Sequence, residues 1–192
     1  MKVLVTAFKP FNKETNNLSI EVLNYIENVD KIILNVCYDD CYKELISNFN
    51  LDNYNLIIAL GEARSRNEIM LEKRAINLSS CSLPDNSNIV YQNKTIIENG
   101  KKYLETSINL DKIKDIIKIS MDAGKFVCNN LYYHLLSNYP HKSLFIHIPK
   151  CINEEQDYMK YAKLITQMIY NMALLFLRFF YNLKKEEVIL LN

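Results

Sequence analysis

Short apolar runs alternate with helical patterns through the first third of the chain. Val3–Ala7, Lys31–Cys37 and Asn55–Leu60 each have the length and composition of a short buried strand. Between them, apolar residues recur at helical spacing in Leu18–Ile26 and Asp39–Phe49. Asn17, just before the first of these helices, is a candidate N-cap. This alternation predicts an α/β fold, a three-layer α/β/α sandwich with a mostly parallel twisted sheet.

The middle of the chain is less regular. We expect Gly61 to end the third strand and Glu68–Asn77 to be extended, with a turn cluster at Leu83–Asn88. Ile89–Ile97 alternates weakly between apolar and polar residues, which predicts one arm of a hairpin. Asp111–Ile117 is predicted to be a short helix.

The last third predicts a helix, a strand and a long helix. Asn129–Ser137 should form a helix that begins just after Cys128, and Leu144–Ile148 a buried strand. A helical pattern then runs over about 154–183 and ends in a short charged and apolar tail. We therefore expect a single domain over residues 1–192.

Part of that long helix, Leu164–Tyr181, is apolar enough to raise the question of a membrane span. Gln167, Asn171 and Arg178 interrupt it, so a subunit interface is the preferred interpretation and no membrane partner is expected.

Composition narrows the function classes. The chain has 192 residues with a formal net charge of +1, which offers no electrostatic argument for a nucleic-acid partner. Its five cysteines are odd in number, and MKVLVTAF at the N-terminus has the pattern of a strand rather than of a signal peptide. A reducing, cytoplasmic location is therefore expected. Cys37 and Cys41 form a close pair, but a second pair at zinc spacing is missing from the sequence.

Three residues could carry thiol chemistry. Cys128 precedes a predicted helix, whose N-terminal partial positive charge should lower the pKa of a thiol. His147 ends an apolar strand, where sites of open α/β sheets gather. Glu72 could orient an imidazole. Taken singly, each has a plainer interpretation: Cys128 and His147 as core residues, and Glu72 as part of a surface charge run.

Five segments change that balance when they are considered together. In chain order they are AFKPF at 7–11 followed by Asn17, EKRAIN at 72–77, LPDN at 83–86, AGKFVCN at 123–129 and LFIHIP at 144–149. They resemble the motifs GFxPF, ERVAIN, IPDN, AGTFVCN and GFIHIP of the pyroglutamyl-peptidase I, or pyrrolidone-carboxylate peptidase, family. The resemblance extends from residue 1 to about 170.

The resemblance implies a cysteine peptidase that removes N-terminal pyroglutamate from peptides through a thioacyl enzyme. Cys128 would be the nucleophile, His147 the general base and Glu72 the carboxylate that orients it. It also implies a set of substrate-binding residues around the lactam ring: Phe8, Phe11, Asn17, Glu62, Phe126 and Val127. It implies no metal or cofactor. Family members often form homo-oligomers, so a dimer or tetramer is expected.

The chain also departs from the family pattern near the expected pocket. GEARSR at 61–66 stands for GQAGGR, so that Glu62 replaces a glutamine. Ser82 replaces an arginine and Lys125 a threonine. These substitutions leave two alternatives open. One is a thiol hydrolase of the same fold that prefers another N-terminal group, and the other is a non-catalytic homologue that acts as a binding protein.

Overall fold

The structure, a computed structural model, describes residues 1–149 and 151–190. Its strands are β1 (Val3–Phe8), β2 (Asp30–Leu34), β3 (Leu56–Ala63), β4 (Met70–Glu72), β5 (Arg74–Ile76), β6 (Tyr103–Glu105), β7 (Lys118–Ser120) and β8 (Ser143–Pro149). Its α-helices are α1 (Leu18–Asn24), α2 (Cys41–Asn48), α3 (Val127–Asn138) and α4 (Glu154–Leu190).

A six-stranded sheet with the order β2-β1-β3-β8-β4-β7 forms the centre of the fold. The first four strands in this order are parallel, as the alternating pattern predicts. β4 pairs with β8 in the antiparallel sense, and β7 is parallel to β4. β5 and β6 form a separate antiparallel pair. The mostly parallel α/β fold is thus confirmed, with two reversed strands at one edge.

The two faces of the sheet bury different side chains, because successive residues of a strand point to opposite faces. On one face, Val5 of β1 belongs to a core cluster that includes Val22 of α1 and Ile165 of α4. On the other, Leu4 belongs to a cluster that includes Leu45 of α2. That second cluster also contains much of α3, the helix that carries Cys128. The result is three layers, with the sheet in the middle.

Two local predictions have different outcomes. Asn17 is confirmed as the N-cap of α1, since its side chain accepts a hydrogen bond of 3.0 Å from the backbone N–H of Ser19. The expectation that Gly61 ends the third strand is wrong. β3 continues to Ala63, because Gly61, Glu62 and Ala63 pair with the end of β8.

Most of the secondary-structure predictions that the structure contradicts lie in the irregular middle of the chain. The hairpin arm predicted at Ile89–Ile97 is wrong, because this segment makes a single bridge, Ser79 to Lys94, outside the named strands. Its backbone is held by a side chain instead: Asn77 Oδ1 accepts from the N–H groups of Ile96 and Ile97. The helix predicted at Asp111–Ile117 is a single 3₁₀ turn at Leu110–Lys112 followed by further turns.

The C-terminal helix is longer than expected. α4 covers 37 residues, against a predicted end near residue 183. None of the helices formed by the described residues is both long enough and apolar enough to cross a membrane. The same residues hold no group of three or more His, Cys, Asp and Glu side chains arranged to bind a metal ion. The five cysteines, including Cys37 and Cys41, are free thiols.

Candidate active site

A cavity of about 400 Å³ opens where β1, β3 and β8 end and α3 begins. Eight of the nine residues that the sequence assigns to a site line it: Phe8, Phe11, Asn17, Glu62, Phe126, Val127, Cys128 and His147. The ninth, Glu72, is completely buried and lies behind His147. The carboxyl ends of parallel strands are where sites form in open α/β sheets, and the sheet therefore brings these distant segments together.

Glu72 and His147 form a buried pair. Because β4 runs antiparallel to β8, Met70 lies opposite His147 and Glu72 opposite Phe145, so all four side chains share one face of the sheet. Glu72 Oε1 is 2.7 Å from His147 Nδ1. The interpretation of Glu72 as part of a surface charge run is therefore wrong. With Nδ1 engaged by the carboxylate, Nε2 is the ring nitrogen left for chemistry.

Arg66 completes this arrangement and was missed from the sequence. Its Nη2 lies 2.7 Å from Glu72 Oε1 and 2.6 Å from the carbonyl oxygen of Asp122. Arg66 also lines the cavity. The sequence offers one weak indication of this role: Arg66 matches the final arginine of the GQAGGR motif, in a segment that otherwise departs from that motif.

Cys128 lies in the first turn of α3, which begins at Val127, two residues earlier than predicted. Among the described residues, no side chain caps this helix at Phe126. Burial raises the pKa of the Cys128 thiol to about 12, and the negative charges of Glu72 and Glu62 add to the rise. A hydrogen bond from the backbone N–H of Cys128 to its own sulfur lowers the pKa, but by less. The expectation that the helix N-terminus leaves this thiol with a lowered pKa is therefore wrong, since burial outweighs the helix.

Gly61 is in close contact with the nucleophile. A Cβ atom at this position would stand 2.9 Å from Cys128 Sγ and 2.8 Å from Cζ of Phe145. Gly61 is also the register partner of His147 across β3 and β8. The missing side chain thus allows the sulfur to approach the strand beside His147.

Aromatic side chains form one wall of the cavity. Phe11 and Phe126 lie 5.6 Å apart between ring centroids. Tyr38 meets Phe126 edge-on at 5.4 Å, and its N–H donates to Asp85 Oδ2 at 3.0 Å. Asp85 of the LPDN motif thereby holds the ring behind Phe126. Sequence reasoning missed this role of Tyr38, since nothing in its local pattern points to the cavity.

Glu62 and Asn17 are tied to the fold as well as lining the cavity. Glu62 Oε2 accepts a 2.8 Å hydrogen bond from the N–H of Leu18, and its Oε1 pairs with the guanidinium of Arg64. Asn17 donates from Nδ2 to the carbonyl oxygen of Lys9 at 3.2 Å, which joins α1 to the AFKPF segment. Arg64 stands where the family motif has glycine, so both members of this ion pair depart from the motif.

The remaining substitutions lie in different places. Lys125 lines the cavity beside Phe126, and its carbonyl oxygen accepts from the N–H of Ser80. Ser82 is exposed outside the cavity. The position at which the family has an arginine therefore carries no charge here, while the threonine position has gained one.

Comparisons with known proteins agree with this site. The family model described as pyroglutamyl peptidase matches residues 1–179. The pyrrolidone-carboxylate peptidase 1 of Caldanaerobacter subterraneus is 33% identical over 168 residues, which cover 78% of this chain and 82% of that protein. The pyrrolidone-carboxylate peptidase of Brachyspira hyodysenteriae is 29% identical over 167 residues, covering 78% and 83%.

Solved structures show the same likeness. The pyrrolidone carboxyl peptidase of Fervidobacterium islandicum superposes with a TM-score of 0.80 at 25% identity, over 90% of this chain and 98% of that one. Pyroglutamyl peptidase I of Bacillus amyloliquefaciens gives 0.76 at 26% identity, over 85% and 91%. Fold and matches together define a cysteine peptidase of the α/β class. The chain belongs to the pyroglutamyl peptidase family.

Proposed function

We propose that this protein removes N-terminal pyroglutamate from peptides, with Cys128 as nucleophile, His147 as general base and Glu72 as the carboxylate that orients the base. The observation that carries the assignment of roles is the 2.7 Å contact between Glu72 Oε1 and His147 Nδ1, at the wall of the cavity that Cys128 also lines. A nucleophile, a base and a third group that fixes the base are what thiol acyl transfer requires.

In the first half of the reaction, His147 Nε2 takes the proton of the Cys128 thiol as the sulfur attacks the carbonyl carbon of the pyroglutamyl group. Because burial keeps the thiol protonated at neutral pH, this transfer accompanies attack on the substrate. The carbonyl oxygen becomes negative and accepts from the backbone N–H of Cys128 in the uncapped first turn of α3. The C–N bond then breaks, and His147 gives the proton to the leaving amine.

The second half removes the acyl group. Water replaces the departed peptide, and His147 takes one of its protons as the oxygen attacks the thioester carbon. The C–S bond breaks, free pyroglutamic acid leaves, and the thiol of Cys128 is restored. Glu72 stabilises the imidazolium in both halves, because its carboxylate stays at Nδ1.

The cavity wall fits a small, flat and neutral ring. Phe8, Phe11 and Phe126 supply apolar faces, while Asn17 and Glu62 supply polar atoms. Glu62 is neutralised by Arg64 and by the N–H of Leu18, which leaves it a hydrogen-bond acceptor more than a free charge. This pairing favours the lactam of pyroglutamate, whose N–H needs an acceptor, over a cationic N-terminal group.

The test is hydrolysis of a fluorogenic pyroglutamyl amide by the purified protein beside Cys128→Ala. Wild type should release the fluorophore, and the variant should show only the rate of the buffer. Equal rates would reject the assignment and favour a binding protein. A panel of amides that carry other N-terminal groups completes the test, because a clear preference for one of them would favour the alternative thiol hydrolase.

We also propose that the protein forms a homo-oligomer, a dimer or tetramer, through α4. Tyr170 is 61% and Leu177 64% exposed, and an apolar groove of about 500 Å³ lies between Tyr25 and the same helix. Side chains of the predicted apolar stretch beyond Leu177 lie outside the described residues. Light scattering after size exclusion tests the proposal, and Leu177→Glu should lower the measured mass.

A cytoplasmic location stays a prediction. It is supported by the five cysteines, which the structure leaves as free thiols, including the nucleophile. Fractionation of the source cells with an antibody to the chain would test it.

A further inference from the structure

We infer that Arg66 is a positioning residue of this active site: it holds the carboxylate of Glu72 in the orientation that Glu72 needs in order to orient His147. The inference rests on the proposed roles of Glu72 and His147. It concerns a residue outside the proposed set of nucleophile, base and orienting carboxylate.

Arg66 is in direct contact with the carboxylate of Glu72. One nitrogen of Arg66, Nη2, bridges Glu72 Oε1 and the carbonyl oxygen of Asp122, at 2.7 and 2.6 Å. The same Oε1 accepts from His147. Within the described part of the chain, Oε2 of this carboxylate is buried without a hydrogen-bond partner. The rotation of the carboxyl group is therefore fixed at one oxygen, and Arg66 supplies one of the two contacts that fix it.

Arg66 also brings a positive charge next to a buried carboxylate. Glu72 is 0% exposed, and a buried carboxylate is strongly unfavourable without a compensating charge. Arg66 supplies such a charge, because its guanidinium is always positive and its side chain, 22% exposed, reaches inward from the solvent. Arg66 thus compensates for the burial of the Glu72 carboxylate.

Arg66 also links two segments of the active site. Asp122, whose carbonyl oxygen Arg66 binds, lies in the loop that leads from β7 into α3 and Cys128. This loop is itself fixed, since Gly124 has a φ of +76° and its N–H donates to Asp122 Oδ1 at 2.9 Å. Through Arg66, the segment that carries the acid is joined to the segment that carries the nucleophile.

The experiment compares Arg66→Met with Arg74→Met. Arg74 is a matched control, because its Nε also donates to a carbonyl oxygen of this loop, that of Met121 at 3.3 Å, and its guanidinium stacks on Tyr103 instead of pairing with Glu72. On a pyroglutamyl amide, Arg66→Met should lower kcat by about 10²-fold, as expected when a catalytic group is misplaced. KM should change by less than about threefold, because the role inferred for Arg66 is to orient Glu72 and not to hold the substrate. Arg74→Met should keep kcat within about twofold of wild type.

Two further measurements distinguish positioning from a general loss of structure. Guanidinium ion at millimolar concentration should restore part of the activity of Arg66→Met and none to Arg74→Met. Arg66→Lys, which keeps the charge, should fall between wild type and Arg66→Met. Unchanged kcat in Arg66→Met would overturn the inference, and so would a raised KM with wild-type kcat, since that pattern belongs to a substrate-binding residue.

A substrate-independent readout separates this inference from the proposed function. Iodoacetamide alkylation of Cys128, followed by mass spectrometry of the labelled peptide, reports how readily His147 takes the thiol proton. Arg66→Met should alkylate at least about tenfold more slowly than wild type and Arg74→Met. If no amide is cleaved but this difference holds, the substrate assignment fails and the role of Arg66 stands. Equal alkylation rates overturn it.

Discussion

Replacing Gly61 by alanine would place a methyl group between the nucleophile and the core. The new Cβ would lie 2.8 Å from Cζ of Phe145 and 2.9 Å from Cys128 Sγ. Phe145 is fully buried and packs on Tyr132 and His147 at 5.6 and 4.9 Å between ring centroids, so its ring has little room to move. The sulfur and the first turn of α3 must therefore give way.

The added methyl group should lower the stability of the fold, because it overpacks the core around Phe145. Forcing an extra methyl into a well-packed core lowers the free energy of unfolding by about 1–3 kcal/mol. For a chain of this size, each kcal/mol lowers Tm by about 2–4 °C. Displacement of the sulfur relative to His147 should lower kcat by about 10²-fold, far more than the loss of stability would explain.

The assay measures kcat on a pyroglutamyl amide, Tm, and the alkylation rate of Cys128. Gly100→Ala is the control, because its Cβ would stand 2.7 Å from the hydroxyl of Tyr133, equally close but outside the cavity. It should lower Tm and keep kcat. Wild-type kcat and alkylation in Gly61→Ala would refute the argument that this close approach positions the sulfur.

Three further predictions concern pH, the Glu62 contacts and the aromatic wall. Since burial raises the pKa of Cys128 from 9.0 to about 12, stability should fall as pH rises through this range, where the unfolded thiol ionises first. The loss is at most about 1.4 kcal/mol per pH unit, and it is reduced because Cys128 is only half-buried. Urea unfolding at pH 8 and pH 10.5 should show a smaller loss of stability for Cys128→Ala than for wild type, and an equal loss would contradict the raised pKa of Cys128. Glu62→Leu should lower the free energy of unfolding by about 1–3 kcal/mol, because it removes the acceptor of the Leu18 N–H. In the same urea assay, Glu62→Gln should lower it by less than about 1 kcal/mol, because it keeps an acceptor and loses only an ion pair with Arg64, which is 42% exposed. Equal losses in the two variants would argue against the hydrogen bond. Phe11→Ala should raise KM about tenfold with kcat little changed, because it removes one face of the ring pocket. Steady-state kinetics that show a fall in kcat alone would count against this role of Phe11.

The sequence by itself determined the features that depend on local pattern. The alternation of strands and helices and the cap at Asn17 could be read from periods of 2 and 3.6 and from the local sequence. The three catalytic candidates came from the resemblance of short ordered motifs to those of a known family. Such features need only neighbours in the chain. The short strands β6 and β7 in the middle of the chain could not be predicted, because three-residue strands show no periodicity and form through pairing with distant partners.

Tertiary structure alone decided how the candidates meet. The reversed pairing of β4 with β8 places Glu72 behind His147, and it brings Arg66 to the same oxygen. The direction of the pKa shift of Cys128 was also decided there, because burial is set by packing from several segments and outweighs the local effect of the helix. Sheet register and burial depend on residues that are far apart in the chain. Short motifs could therefore identify Cys128 and His147 but could not predict their surroundings.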